Sequence, residues 1–165
     1  MIVVSDSTPL ITLMKVKRLD ILKDMFGAVL IPTAVFSEVT GNDNFREEAE
    51  LIKQSDYIRV VTVEDNERVT FLQRATGLNL GESEAIIYAD SEKADLLLMD
   101  EIAGRRVAQN MKLPITGSLG IIVQAFRNGY ISNDEAEDIL DGIRSANRHI
   151  SARLLKDVLD IIRNG

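Results

Sequence analysis

The sequence predicts an α/β fold in which helices cover both faces of a parallel sheet. Short runs that are apolar throughout, such as 2–4, 29–31 and 96–99, alternate with segments whose apolar residues have helical spacing. Strands that are apolar on both sides are typical of parallel sheets buried between two layers of helices. Parallel neighbouring strands also need a crossover connection, usually a helix, which fits this alternation of strands and helices.

Cap and turn residues predict where the first elements begin and end. After the run 2–4, Thr8 suits a helix N-cap and Pro9 suits the first helical turn. We therefore expect a helix to start there. The helical spacing then continues to Phe26 through two helices that are broken near Lys17.

The same signals continue to the end of the chain, with Gly77 and Gly129 closing two of the helices. We expect one domain over 1–165, with an α/β core at 1–128 and a pair of C-terminal helices within 129–165. The predicted strands are 29–31, 58–63, 96–99 and 114–116, and the predicted helices are 32–38, 44–53, 66–75, 81–92, 105–111, 119–127, 134–144 and 152–163.

The composition excludes several kinds of site. The 165 residues include no cysteine, so disulfides, thiolate zinc sites, Fe–S clusters and cysteine nucleophiles are ruled out. No apolar run approaches the roughly 18 residues that a membrane span needs. The first residues lack the basic region of a signal peptide. We expect a cytoplasmic protein with no membrane-spanning segment.

The charge balance bears on nucleic-acid binding. With 19 Lys and Arg against 26 Asp and Glu, the net charge is −7, whereas proteins that hold nucleic acid by its phosphates usually have a basic surface. Carboxylates neutralised by bound cations, or a local basic stripe, would still permit such binding. One basic cluster is either a contact for phosphates or an acidic partner, or a solvated helix face: Arg144, Arg148, His149, Arg153 and Lys156.

Acidic residues follow the ends of the predicted strands. Asp6 comes shortly after the first strand and Asp100 directly after the fourth. Glu38 lies one helical turn after the second strand, while Glu82 and Glu84 open the helix that leads into the fourth. Sites in open parallel sheets lie beyond the carboxyl ends of the strands, where the strand order reverses. These acids therefore converge if the first and fourth strands are neighbours.

A cluster of carboxylates needs compensation. Two like charges about 4 Å apart repel by roughly 4 kcal/mol at an effective dielectric constant of 20. Such a cluster implies raised pKa values or bound cations, and oxygen-only ligands favour Mg²⁺ or Mn²⁺. These ions generate hydroxide and stabilise the leaving oxygen of a phosphodiester. The alternative is that each acid is a helix cap or a solvated first-turn residue.

Five segments of the chain have a characteristic order and spacing: 3–11, 32–39, the Gly-Glu-Ser-Glu-Ala-Ile motif at 81–86, 97–101 and 115–120. Together they resemble PIN domains, in particular a compact prokaryotic branch near the VapC-like toxin ribonucleases, and the resemblance covers about residues 1 to 128. It implies a three-layer α/β/α sandwich around a parallel sheet. The implied activity is metal-dependent cleavage of RNA.

The resemblance also assigns site residues. Asp6, Glu38 and Asp100 match acids of the family's metal site. For the third acid, Glu84 fits the usual Asp before the Ala-Ile run, whereas Glu82 belongs to the motif of this branch, so both stay open with a slight preference for Glu84. Where many toxin-type members have a small hydroxyl residue, two positions before the fourth acid, this chain has Leu98. Candidate contacts to water or phosphate are Thr8, Thr116, Ser118 and Arg105.

These observations lead to one main hypothesis and two alternatives. The main hypothesis is a Mg²⁺- or Mn²⁺-dependent endoribonuclease, the toxin of a toxin–antitoxin pair, with an antitoxin protein as partner and a homodimer as the expected assembly. The first alternative is a PIN-like binding module that has lost catalysis and acts through protein or nucleic-acid partners. The second is phosphoryl transfer through Asp6 as a nucleophile, although a second Asp two residues later is lacking.

Overall fold

The computed structural model describes residues 1–146 and 150–165, and the strands in these ranges form one five-stranded sheet. All neighbouring strands are parallel, in the order β3-β2-β1-β4-β5. The fold class predicted from the sequence is thus confirmed. The strands are β1 (Val3–Ser5), β2 (Val29–Pro32), β3 (Ile58–Val61), β4 (Leu96–Leu98) and β5 (Ile115–Thr116).

Helices connect the strands and continue beyond the last one. A single 3₁₀ turn, Asp43–Phe45, precedes α4, so that helix begins later than predicted. Within the described ranges no helix is both long and apolar enough to cross a membrane. The α-helices are α1 (Ser7–Lys15), α2 (Asp20–Phe26), α3 (Thr33–Thr40), α4 (Arg46–Gln54), α5 (Asn66–Thr76), α6 (Leu80–Ser91), α7 (Ile102–Asn110), α8 (Ser118–Arg127), α9 (Asn133–Ser145) and α10 (Ala152–Asn164).

Alternating side chains of the central strands enter different layers of the core. Val3 and Leu98 pack into a large cluster with residues of α1, α8 and α9, whereas Val4 and Leu97 pack into a second cluster with residues of α6 and α7. Successive strand side chains point to opposite faces, so a sheet covered on both sides needs apolar residues at every position. This explains the continuous apolar runs and produces the sandwich.

The two C-terminal helices pack against the core. Ile139 and Ile143 of α9 and Val158 and Ile162 of α10 are buried in the same cluster as the apolar residues of α1 and α8. Asn133 adds a polar contact, because its side-chain amide donates to the backbone oxygen of Ile162 at 2.8 Å. The division of the chain at residues 128 and 129 stays a prediction from the sequence.

The first helix begins earlier than predicted. α1 starts at Ser7, and Asp6 holds the N-cap position with extended backbone, so the prediction that Thr8 is the N-cap was wrong. Pro9 lies within the first turn, where backbone N–H groups have no partner inside the helix and a proline costs no hydrogen bond. The shift matters because it leaves Asp6 at the junction between β1 and α1.

Candidate functional site

The strand order reverses between β1 and β4, and two of the predicted acids lie at this point. From β1 the chain crosses to β2 on one side, whereas β4 lies on the other side of β1. Ser5 is opposite Leu98 in the parallel register, and the backbone N–H of Asp6 donates to the oxygen of Leu98 at 3.0 Å. Asp6 and Asp100 thus lie just beyond the carboxyl ends of two neighbouring strands. The condition set by the sequence, that the first and fourth strands be neighbours, is met.

Asp6 is the most deeply buried acid of the site. Asp6 is 2% exposed, and its side-chain Oδ1 atom has no hydrogen-bond partner. The pKa of Asp6 is raised from 3.8 to about 7, chiefly by burial and also by the charges of Glu38, Glu82 and Asp100, while a hydrogen bond from the Ser7 backbone opposes the rise. Four acids therefore share one electrostatic environment around the end of β1.

Asp100 is held in place by the first residue of α8. Its Oδ1 accepts the backbone N–H of Ser118 at 2.7 Å, and its Oδ2 accepts the Ser118 hydroxyl at 2.6 Å. Ser118 is fully buried, so its hydroxyl orients this carboxylate instead of facing a groove. Paired bonds from one residue fix both the position and the plane of the carboxylate.

Glu82 is partly covered and belongs to a capping box. Its Oε2 accepts the backbone N–H of Asn79 at 3.0 Å, while the Asn79 side chain accepts the N–H of Glu82 at 2.8 Å. This pair starts α6 at Leu80, one residue before the predicted start. Burial raises the pKa of Glu82, and the charges of Glu101 and Glu38 add to the rise.

Glu84 has a different environment from Glu82. Its Oε2 accepts the backbone N–H of Ala34 in the first turn of α3 at 3.1 Å. It is not among the acids whose charges raise the pKa of Asp6, whereas Glu82 is. Of the two residues left open by the sequence, Glu82 is the one that acts electrostatically on the buried acid.

Three of the four predicted substrate contacts line a groove that also includes Asp100. Thr8, Thr116 and Arg105 border this space of about 810 Å³, together with apolar residues of α8 and α10. One guanidinium nitrogen of Arg105, Nη1, donates to the backbone oxygen of Met99 at 2.9 Å, which anchors the side chain beside the acids. The groove therefore joins hydroxyl groups and a cation to the acidic site.

The basic cluster predicted late in the chain is only partly described. Arg144 forms an ion pair with Asp141 across one turn of α9, with 2.8 Å between Nη2 and Oδ1. Arg153 lies exposed on α10. Arg148 and His149 lie outside the described residues. The contact seen for Arg144 corresponds to the solvated-face interpretation of that residue.

Glu101 and Leu98 lie close to Asp100 in the sequence and have contrasting surroundings. Glu101 directly follows Asp100 and raises the pKa of Glu82, yet the sequence analysis gave it no role, although its position beside a strand-end acid was a usable signal. Leu98 is fully buried in the main core cluster, so its side chain is part of the packing and not of the acidic site.

The chemistry of these donors fits a divalent cation. They are all carboxylate oxygens, and a buried carboxylate oxygen without a partner, as at Asp6, is costly unless a cation or a proton compensates it. Among residues 1–146 and 150–165, no group of three or more His, Asp and Glu side chains is already arranged so that it could hold a metal ion. The donor types are thus suitable, while the described side-chain positions do not form a ready site.

The chain matches the model of a known protein family. The family model DUF3368, described as "PIN domain", matches residues 2–164 of the chain. The match includes the α/β core, all the acids described above and both C-terminal helices. No curated protein matches the chain.

Proposed function

The chain belongs to the PIN-domain family, and from this premise we propose that it is a Mg²⁺- or Mn²⁺-dependent endoribonuclease. PIN domains are generally nucleases and generally use divalent metal ions. The observation that carries the proposal is the buried Asp6, whose Oδ1 lacks a partner and whose pKa is raised by burial and by three neighbouring acids. A site of this kind at the point where strand order reverses is suited to a cation and a phosphodiester.

In this proposal, Asp6, Glu38, Glu82 and Asp100 hold the cation. A bound cation of this class supplies activation of water and stabilisation of charge on the leaving oxygen. The coupling between Asp6 and Glu82 supports Glu82 as the third acid, and the contact of Glu84 with Ala34 argues for another role of that residue.

Other residues of the site act on the acids or on the substrate. Ser118 fixes the plane of the Asp100 carboxylate through its two hydrogen bonds. Arg105 uses one nitrogen on the Met99 oxygen, and its other donors serve a phosphate in the groove. Thr8 and Thr116 offer hydroxyls along the same groove. A local cation beside the acids lets an acidic protein bind RNA without a basic surface overall.

We further propose that the protein acts in the cytoplasm as the toxin of a toxin–antitoxin pair and forms a homodimer. The support for the toxin role is the resemblance carried by the motif at 81–86 and the segment 115–120. Two-fold homodimers are the commonest oligomers among soluble proteins. Co-expression with the product of an adjacent gene tests the pairing, since an antitoxin restores growth that the toxin alone arrests.

The binding-module alternative is favoured by one observation. Within the described part of the chain, the acids do not form a group that is ready to hold a metal ion. If catalysis has been lost, divalent ions neither bind the protein tightly nor stabilise its fold. The same experiment therefore separates the two functions.

The experiment measures the midpoint of thermal unfolding against Mn²⁺ and Mg²⁺ concentration, with EDTA as the baseline. A cation at 100 times its dissociation constant stabilises the fold by about 2.7 kcal/mol. We expect this shift in wild type and its loss in Asp6→Asn, with Asp138→Asn, an exposed position on α9, as the matched control. We likewise expect RNA cleavage by wild type and Asp138→Asn and its loss in Asp6→Asn. No shift in wild type would favour the binding module, whereas equal shifts in wild type and Asp6→Asn would show that the cation does not bind at Asp6.

A further inference from the structure

Helix α3 and the N-terminal half of α6 face each other across a cleft beside the acidic site. This cleft has a volume of about 510 Å³. It is lined by Thr33, Ala34, Ser37 and Glu38 from α3, and by Asn79, Leu80, Gly81 and Glu84 from α6 and its cap. Glu38 is thus the acid of the site whose position depends on how these two helices meet.

Two contacts cross the cleft. The Oε2 atom of Glu84 accepts the backbone N–H of Ala34 at 3.1 Å. The Oε2 atom of Glu38 lies where a side chain on Gly81 would be, because a Cβ built on that glycine would be 2.9 Å from it.

The spacing of these residues places them on one face of α3 and one face of α6. Ala34 and Glu38 are four residues apart on α3, and Gly81 and Glu84 are three apart on α6, so each pair shares a helix face. The earlier residue of each pair lies opposite the later residue of the other, so the two faces run antiparallel. Glu84 thereby fixes the first turn of α3, and Glu38 follows one turn later against Gly81.

The backbone conformation at Gly81 does not require a glycine. It lies in the first turn of α6 and is not among the glycines with positive φ. Within a helix, alanine is more favourable than glycine. The atom that would meet its Cβ is the end of the flexible Glu38 side chain, so an added methyl displaces this carboxylate and leaves the backbone in place.

We propose that Gly81 and Glu84 are positioning residues that set the Glu38 carboxylate for cation binding. Gly81 provides the space that this carboxylate occupies, and Glu84 ties the start of α3 to α6 without binding the cation. The inference rests on the proposed function. It differs from the expectation that Glu84 is itself one of the metal-binding acids.

The test compares four variants by Mn²⁺-dependent thermal unfolding, each with its own EDTA baseline. We expect Gly81→Ala to unfold in EDTA at the wild-type temperature or above it, yet to bind Mn²⁺ about 10-fold to 100-fold more weakly, the usual effect of losing support for a metal ligand. Glu84→Ala is expected to weaken Mn²⁺ binding to a similar degree. Glu84→Gln keeps wild-type binding, because its amide oxygen still accepts the Ala34 N–H. Glu82→Gln loses binding, since its charge is needed.

Each possible result tests either the proposed function or the positioning role. If wild type shows no Mn²⁺-dependent shift, the proposed function is wrong and this inference falls with it. If wild type shows the shift and Gly81→Ala binds Mn²⁺ equally well, only the inference is overturned. If Glu84→Gln binds as weakly as Glu84→Ala, Glu84 acts through its charge and the positioning role is overturned. Glu67→Gln and Glu67→Ala, on the exposed first turn of α5, are the matched controls and keep wild-type binding.

Discussion

Replacement of the buried Asp6 by asparagine is expected to change how stability depends on pH. In the folded protein the pKa of Asp6 is raised from 3.8 to about 7, mainly by burial. Between these two values the folded state keeps the proton while the unfolded state has lost it. Stability of the metal-free protein therefore falls as pH rises through this range, by about 1.4 kcal/mol per pH unit from this group alone.

The size of the effect follows from the two pKa values. A rise from 3.8 to about 7 corresponds to at most about 4 kcal/mol of stability lost above pH 7. Asn has nearly the same shape and no charge, so Asp6→Asn removes this loss. We expect the two proteins to have similar free energies of unfolding at pH 4. The variant becomes the more stable one as pH rises to 8, in EDTA.

Urea unfolding in EDTA at pH values from 4 to 8 measures this difference. Asp138→Asn on α9, where the side chain is exposed, serves as the control and should show no difference that grows with pH. A difference between Asp6→Asn and wild type that stays constant with pH would refute the reasoning, because it would show that the Asp6 carboxyl does not titrate differently on folding. Excess Mn²⁺ should narrow the difference, since only wild type gains stability from the cation.

Three further substitutions test separate features. Ser118→Ala removes the hydroxyl bonded to Asp100, so urea unfolding should show a loss of about 1–3 kcal/mol, and no loss would contradict the structural role of this bond. Leu98→Ser opens the core and should cost about 2–5 kcal/mol without tighter Mn²⁺ binding; tighter binding would indicate that this side chain reaches the site. Arg105→Ala should weaken RNA binding and lower the salt slope by about 1, with the Mn²⁺ shift of thermal unfolding retained; an unchanged slope would remove Arg105 from the phosphate contacts.

Much of the fold was predictable because its signals are local. Val3 and Val4 enter opposite layers of the core, and a run of apolar residues with no polar alternation indicates such a doubly covered strand. Gly77 ends α5 in a left-handed conformation, as the glycine after a helical pattern indicates. The start of α1 was less predictable, because several residues near Pro9 suit a helix cap.

The sequence by itself determined the alternation of strands and helices and the acids that follow the strand ends. Both depend on residue type and on spacing along the chain. Only the tertiary structure decided that β1 and β4 are neighbours, which brings Asp6 and Asp100 to the same edge of the sheet. Strand order is a property of contacts between distant segments, and no local pattern encodes it.

The different surroundings of Glu82 and Glu84 likewise depend on the tertiary structure. Two residues that are two positions apart on a helix point in different directions, so their carboxylates have different neighbours. Which neighbours each one meets depends on the rotation of α6 about its axis. That rotation is set by the cap at Asn79 and by packing of α6 against the sheet and α3. As a result, Glu82 lies within electrostatic reach of Asp6, and Glu84 reaches the first turn of α3.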